Sequence, residues 1–134
     1  MRYTIDAIGL VRSSLARREL APRQGDEGAP RALLELASDV REGLRGIAAG
    51  DELVVLTWLH QARRDVLVVH PRNEPERPLT GVFATRSPDR PNPVGLHRVR
   101  VLAAEDGVLE VEPLEAIDGT PIVDIKPVLA VGDH

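Results

Sequence analysis

The longest apolar stretch of this chain, residues 53–59, is seven residues long and already contains Thr57. A run that short is the length of a buried strand. It falls below the ~10–12 residues of a core helix and far below the ~20 of a membrane-spanning one. Proline narrows the choice further. Six of the 11 prolines lie between Pro71 and Pro93, and each fixes φ near about −65° and removes a backbone donor. The chain therefore reads as short strands separated by stiff irregular segments. Strands are expected over residues 3–12, 53–60, 66–70, 94–104, 108–112 and 122–131. Residues 32–37 are open to strand or helix, and 81–83 leave room for a short strand. One short helix is expected over 39–45, with Ser38 as its N-cap and Gly46 closing it. Residues 13–30, with Pro22, Gly25, Gly28 and Pro30, read as a long loop, and Asp106-Gly107 as a hairpin turn. Many short strands at short spacing imply an all-β fold, a small closed or nearly closed β-barrel.

With 134 residues the chain is expected to form a single domain around one core. Tyr3, Trp58 and Phe83 are the only aromatics, so that core must be Leu, Val, Ile and Ala. Few rings also argue against the single-strand binders that stack bases on several of them. Cysteine is absent, which removes disulfides, thiolate zinc sites and cysteine nucleophiles. The N-terminus has no long apolar run after its basic residue, so no signal peptide is read and a cytoplasmic protein is expected. The net charge of −4 argues against a broadly basic nucleic-acid binder. Charge is uneven, however: residues 1–100 carry 16 Arg against 13 acids, and residues 101–134 carry one Lys against eight acids. A solvated acidic edge accounts for that difference.

Several common sites are missing. Gly43, Gly46 and Gly50 have the wrong spacing for a dinucleotide fingerprint, and no Walker A sequence occurs. His60, His70, His97 and His134 are scattered without a ligand spacing, so no metal site is expected. No Ser has the setting of a nucleophile elbow.

Two segments are chemically dense. Residues 81–95 read Gly-Val-Phe-Ala-Thr-Arg-Ser-Pro-Asp-Arg-Pro-Asn-Pro-Val-Gly. Pro88, Pro91 and Pro93 stiffen a frame that carries Thr85, Arg86, Ser87, Asp89, Arg90 and Asn92. A stiff polar loop loses little entropy on binding a polar ligand; a solvated surface turn would look the same in sequence. Gly95 allows close backbone approach. Residues 118–127 read Asp-Gly-Thr-Pro-Ile-Val-Asp-Ile-Lys-Pro, a tight turn entering a strand. Asp124 and Lys126 are two apart, so on a strand they share a face.

Together these segments resemble the TsaA-like family, whose best-known members are S-adenosylmethionine-dependent methyltransferases of a hypermodified adenosine in tRNA. Residues 8–13, 22–24, 42–47 and 53–61 extend the resemblance over nearly the whole chain. The resemblance implies a small β-barrel, a homodimer and S-adenosyl-L-methionine as cofactor. It implies cofactor contacts from Pro22, Arg23, Gln24, His60, Gln61, Arg86, Leu96, Asp118, Gly119, Thr120 and Pro121. The additional C-terminal domain that tRNA enzymes of the family often carry is not expected within residues 1–134, and Val128 stands where the family often has Tyr.

Methyl transfer from a sulfonium is an in-line displacement, for which a protein mainly aligns the partners. Arg86 suits the cofactor carboxylate, because its guanidinium matches carboxylates bidentately. The main chain of Asp118 to Pro121 and the Thr120 side chain suit adenine or ribose. The implied acceptor is N6 of a threonylcarbamoyl adenosine in the anticodon loop. Its lone pair is delocalised, so a general base would help; Asp118, Asp124 and His60 are the candidates. Arg63, Arg64, Arg90 and Arg98 are candidates for RNA phosphates. Residues 84–93 are expected near a partner subunit. Two other readings compete: a methyltransferase of a small molecule or peptide, and a cofactor-binding module without catalysis.

Overall fold

The computed structural model describes residues 1–14 and 31–129. The described residues form eight strands: β1 (Gly9–Arg12), β2 (Ala32–Leu36), β3 (Glu52–Trp58), β4 (Val68–Val69), β5 (Thr80–Gly81), β6 (Val94–Glu105), β7 (Val108–Glu112) and β8 (Pro121–Pro127). Six close into a barrel in the order β1-β2-β7-β6-β3-β8, and β4 pairs only with β5. Every pairing is antiparallel. The expected all-β barrel is what the chain forms.

Alternation decides which side chains fill the barrel. On β6, Gly95, His97, Val99 and Val101 face inward, while Val94, Leu96, Arg98 and Arg100 face outward. The inward positions of β2, β3 and β7 add Ala32, Leu34, Leu36, Leu53, Val55, Leu109 and Val111 to a lumen packed with aliphatic side chains. Burying each Leu or Val among them is worth roughly 1.5–3 kcal/mol. The lumen is therefore core rather than channel. The Asp106-Gly107 turn forms as its sequence predicts, both residues at positive φ (51° and 77°), the geometry of a tight two-residue hairpin.

Four local expectations are corrected. The first strand starts at Gly9 rather than residue 3, because its ladder with β8 reaches only Gly9–Ile122, next to an irregularity where β8 shifts register against β3. Tyr3 and Ile5 are left exposed. Ser38 lies inside a 3₁₀ helix, Ser38–Leu44, whose cap residue is Ala37 and which has no side-chain cap bond. Strand 66–70 shrinks to β4; of 81–83, Gly81 ends the short strand β5 and the rest enters a 3₁₀ turn, Val82–Ala84. Among the described residues no helix is long and apolar enough to cross a membrane.

Candidate functional site

Antiparallel alternation in a closed barrel of six strands sends the connections to two ends. At one end lie the C-termini of β1, β3 and β7 and the N-termini of β2, β6 and β8. The β3–β6 connection carries residues 59–93, and the β7–β8 connection carries 113–120. Both chemically dense segments therefore gather at one end. The β6–β7 hairpin and the 3₁₀ helix Ser38–Leu44 occupy the other.

The first half of this end is a pair of clamped loops. Leu59 N–H donates to the Pro93 carbonyl at 2.8 Å, and Arg90 N–H to the Arg63 carbonyl at 3.1 Å. Arg63 N–H donates to Asp89 Oδ1 at 2.9 Å. Arg64 donates from Nε to the Pro91 carbonyl at 2.7 Å and from Nη2 to Asn92 Oδ1 at 2.9 Å, while lying 5.1 Å from the Trp58 ring centroid. His60 and Gln61 are thereby held beside the proline-stiffened loop. Asp65 receives two bonds from Arg63, each 3.0 Å. The Arg63 hydrogen bond holds its carboxyl below the usual carboxylate range, aided by a backbone N–H and by the charge of Arg63.

The second half is the turn before β8. Gly119 adopts φ 85°, Gly119 N–H donates to the Val11 carbonyl at 2.7 Å, and Val11 N–H donates to the Thr120 carbonyl at 2.9 Å. Positive φ in a turn of this kind suits glycine. Asp118 Oδ1 accepts from Ser13 N–H at 3.1 Å, and Ser13 Oγ donates to the Ala116 carbonyl at 2.9 Å. The Thr120 hydroxyl donates to the Ile117 carbonyl at 2.7 Å and is buried. Thr120 therefore shapes the turn through its own hydroxyl.

The other candidate residues divide clearly. His60, Gln61, Arg86 and Asp118 are exposed at the site end, and no hydrogen bond or ion pair of His60 or Arg86 occurs among the described residues. Pro22, Arg23 and Gln24 lie outside the described residues. Leu96 points away from the lumen, 48% exposed, and Asp124 faces the same stretch of wall: Leu96 and Asp124 pair with Leu56 from opposite sides. Asp124 binds Lys126 Nζ at 3.2 Å, so the expected shared face is observed. No observed contact joins His60, Asp118 and Asp124 to one another. Of the arginines proposed for RNA, Arg90 gives its guanidinium to three carbonyls of its own loop. Arg64 is taken up as above, and Arg98 pairs with Glu52 at 2.8 Å. Proline explains this: a loop poor in N–H groups leaves carbonyls unsatisfied, and guanidinium N–H groups fill the gap.

Sequence reasoning passed over one cluster. His97 is 5% exposed, with Nδ1 2.7 Å from Glu115 Oε1 and Nε2 2.7 Å from the Thr57 hydroxyl. The period-two pattern of residues 94–104 carried the signal, since His97 falls in phase with Gly95, Val99 and Val101.

A filled antiparallel barrel with a solid lumen defines an all-β domain, and among the described residues one rim carries an unengaged guanidinium, Arg86, and an open glycine turn. The donor set fits S-adenosyl-L-methionine: Arg86 for a carboxylate, and a Gly119 backbone with nothing within 4 Å of where its Cβ would be. Residues 10–134 match the model of the tRNA-methyltransferase O N-terminal domain, and the chain belongs to that family. A protein of Archaeoglobus fulgidus named "Probable S-adenosyl-L-methionine-binding protein" is 42% identical over 127 residues, 95% of this chain and 34% of its own length. A protein of the same name in Methanothermobacter thermautotrophicus is 40% identical over 127 residues, 95% of this chain and 90% of its own. The crystal structure of TrmO from Pseudomonas aeruginosa superposes with a TM-score of 0.75 at 31% identity, covering 100% of this chain and 61% of that one. The chain thus spans about a third of the first relative and three-fifths of the solved enzyme.

Proposed function

We propose that this chain binds S-adenosyl-L-methionine at the barrel end formed by residues 59–93 and 113–121 and methylates N6 of threonylcarbamoyl adenosine in a tRNA anticodon loop. The observation that carries the reading is the convergence of both family motifs on one rim, where Arg86 makes no hydrogen bond or ion pair among the described residues. When bound, S-adenosyl-L-methionine supplies a methyl group activated on a sulfonium. Arg86 holds the carboxylate, and the open backbone around Gly119 receives the nucleoside part. Of the three candidate bases, Asp118 is occupied by Ser13 N–H and Asp124 by Lys126. His60 is the one of the three without a hydrogen bond or ion pair among the described residues, and in this reading it accepts the proton from the acceptor nitrogen. A cytoplasmic setting and a homodimer belong to the same reading.

A second reading has an observation in its favour. Arg64, Arg90 and Arg98 are taken up by intramolecular contacts and the net charge is −4, which suits a small-molecule or peptide acceptor better than a phosphate backbone. A methylation assay with labelled cofactor against total tRNA and against a metabolite and peptide extract separates the two. Label in tRNA, lost when the tRNA lacks the threonylcarbamoyl group, supports the first reading. Label only in the extract supports the second, and no transfer with intact cofactor binding leaves a binding module.

A further inference from the structure

Glu115, His97 and Thr57 come from the β7–β8 connection, β6 and β3, with sequence separations of 18 and 40 residues. An ionised carboxylate only accepts, so Glu115 fixes the proton on His97 Nδ1. In the neutral ring Nε2 is then the acceptor of a hydrogen bond donated by the Thr57 hydroxyl. Carboxylate, imidazole and hydroxyl stand in the order of a nucleophilic triad. Thr57, however, is 0% exposed, so no substrate atom reaches its Oγ. The cluster is also costly as packing, because the surrounding lumen is aliphatic and polar groups buried there are tolerated only when every bond is made. Apolar replacements of similar shape would leave stability nearly unchanged.

What the three residues join is the site. Thr57 precedes Trp58, Leu59, His60 and Gln61, the start of the clamped loops. Glu115 precedes the turn that ends in Asp118 to Pro121. His97 lies four residues beyond Pro93, where the proline-stiffened segment enters β6. We propose that Glu115–His97–Thr57 is a positioning relay. It sets the height of the Asp118–Pro121 turn against the His60–Gln61 loop and so holds the two halves of the pocket in register. This role rests on the reading of that rim as the cofactor site.

Thr57→Val keeps the shape of the side chain and removes the donor to Nε2; Thr57→Ser keeps the donor. Calorimetric titration with S-adenosylhomocysteine should show affinity lowered ~5- to 10-fold in Thr57→Val and Glu115→Gln, and within about twofold of wild type in Thr57→Ser. The far-downfield imidazole N–H resonance of His97 should persist in Thr57→Ser and move upfield in Glu115→Gln, whose neutral amide oxygen accepts more weakly. Amide shifts in Thr57→Val should move in both 59–62 and 116–121. Wild-type affinity in a folded Thr57→Val, or shifts confined to β3 and β6, overturns the relay. Failure of the wild-type protein to bind S-adenosylhomocysteine overturns the cofactor reading instead, and the amide shifts then judge the relay alone. If Thr57→Val does not fold, His97→Gln replaces it in the same titration and amide comparison. Wild-type affinity there, or shifts that spare 116–121, counts equally against the proposal.

Discussion

Arg90 turns back into its own loop, its Nη2 donating to the Val82 carbonyl at 2.8 Å. Nη1 serves the carbonyls of Thr85 and Ser87 at 3.1 and 3.0 Å. One guanidinium thus closes three acceptors in a segment whose prolines cannot close them. Arg90→Ala should lower stability by ~1.5–3 kcal/mol, the usual worth of bonds to a charged donor, or roughly 5–15 °C in Tm for a chain of this size. Arg90→Lys should recover only part, because an ammonium lacks the planar fork that spans these oxygens. Thermal melts of the three proteins decide it, and an Arg90→Ala protein melting with wild type refutes the brace.

That loop also marks where sequence stops being informative. The barrel was legible because short apolar runs with period two admit little else, and the motif at 118–121 announced its turn through Asp118-Gly119. Nothing local distinguishes Arg86 from Arg90 as ligand-facing or inward-turned. The difference arises from which carbonyls the folded loop leaves unsatisfied. His97 shows the complementary limit: alternation places it in the lumen, but its partners Thr57 and Glu115 are fixed only by barrel closure and register.

Arg86, exposed and unengaged among the described residues, should behave differently. Arg86→Ala should leave Tm within about 1–2 °C, since few native contacts are lost. Its affinity for S-adenosylhomocysteine should fall roughly 10- to 150-fold, the range expected for losing ~1.5–3 kcal/mol of charge-assisted bonding. Calorimetry on folded Arg86→Ala and Arg90→Ala compares them directly. A smaller affinity loss for Arg86→Ala than for Arg90→Ala would show the two roles reversed.

The outer wall predicts association. Phe83 is 78% exposed, Leu96 48% and Val94 40%, all on the proline-stiffened segment or the strand it feeds. Apolar side chains grouped this way favour a protein partner, and a second copy is the expected one. Light scattering at micromolar concentration should give twice the monomer mass, and Phe83→Asp combined with Val94→Asp should return the monomer. A wild-type monomer mass rejects the homodimer.

Asp65 supplies a pH dependence of known sign. Its carboxyl titrates lower in the folded protein than in the unfolded chain because Arg63 hydrogen-bonds the charged form. Its contribution is therefore present above the unfolded pKa and is lost as pH falls through the folded one. Carboxyl carbon shifts followed by NMR should place the Asp65 midpoint below those of free aspartates, and Arg63→Gln should raise it toward the ordinary range, the backbone N–H still lowering it. An unchanged midpoint in Arg63→Gln would remove Arg63 as the cause. Both groups are exposed, so global stability should respond little.

Gly95 offers the sharpest packing test. An added Cβ would overlap Thr57 Oγ1 and lie 2.8 Å from His97 Nε2 and 3.0 Å from Leu59 Cδ2. Thr57 is β-branched and stiff at χ1, and the His97 ring is bonded at both nitrogens, so neither neighbour can withdraw without breaking the Thr57–His97 bond. Gly95→Ala should therefore cost ~1–3 kcal/mol as overpacking, and its His97 N–H resonance should shift as the ring is displaced. Gly43→Ala is the matched control. It adds the same methyl group with nothing within 4 Å, and should change stability by no more than ~0.5–1 kcal/mol. Urea denaturation gives both values on one scale. Equal stabilities for the two variants would mean that the lumen yields at Gly95, and that no close fit between β3 and β6 holds the imidazole there.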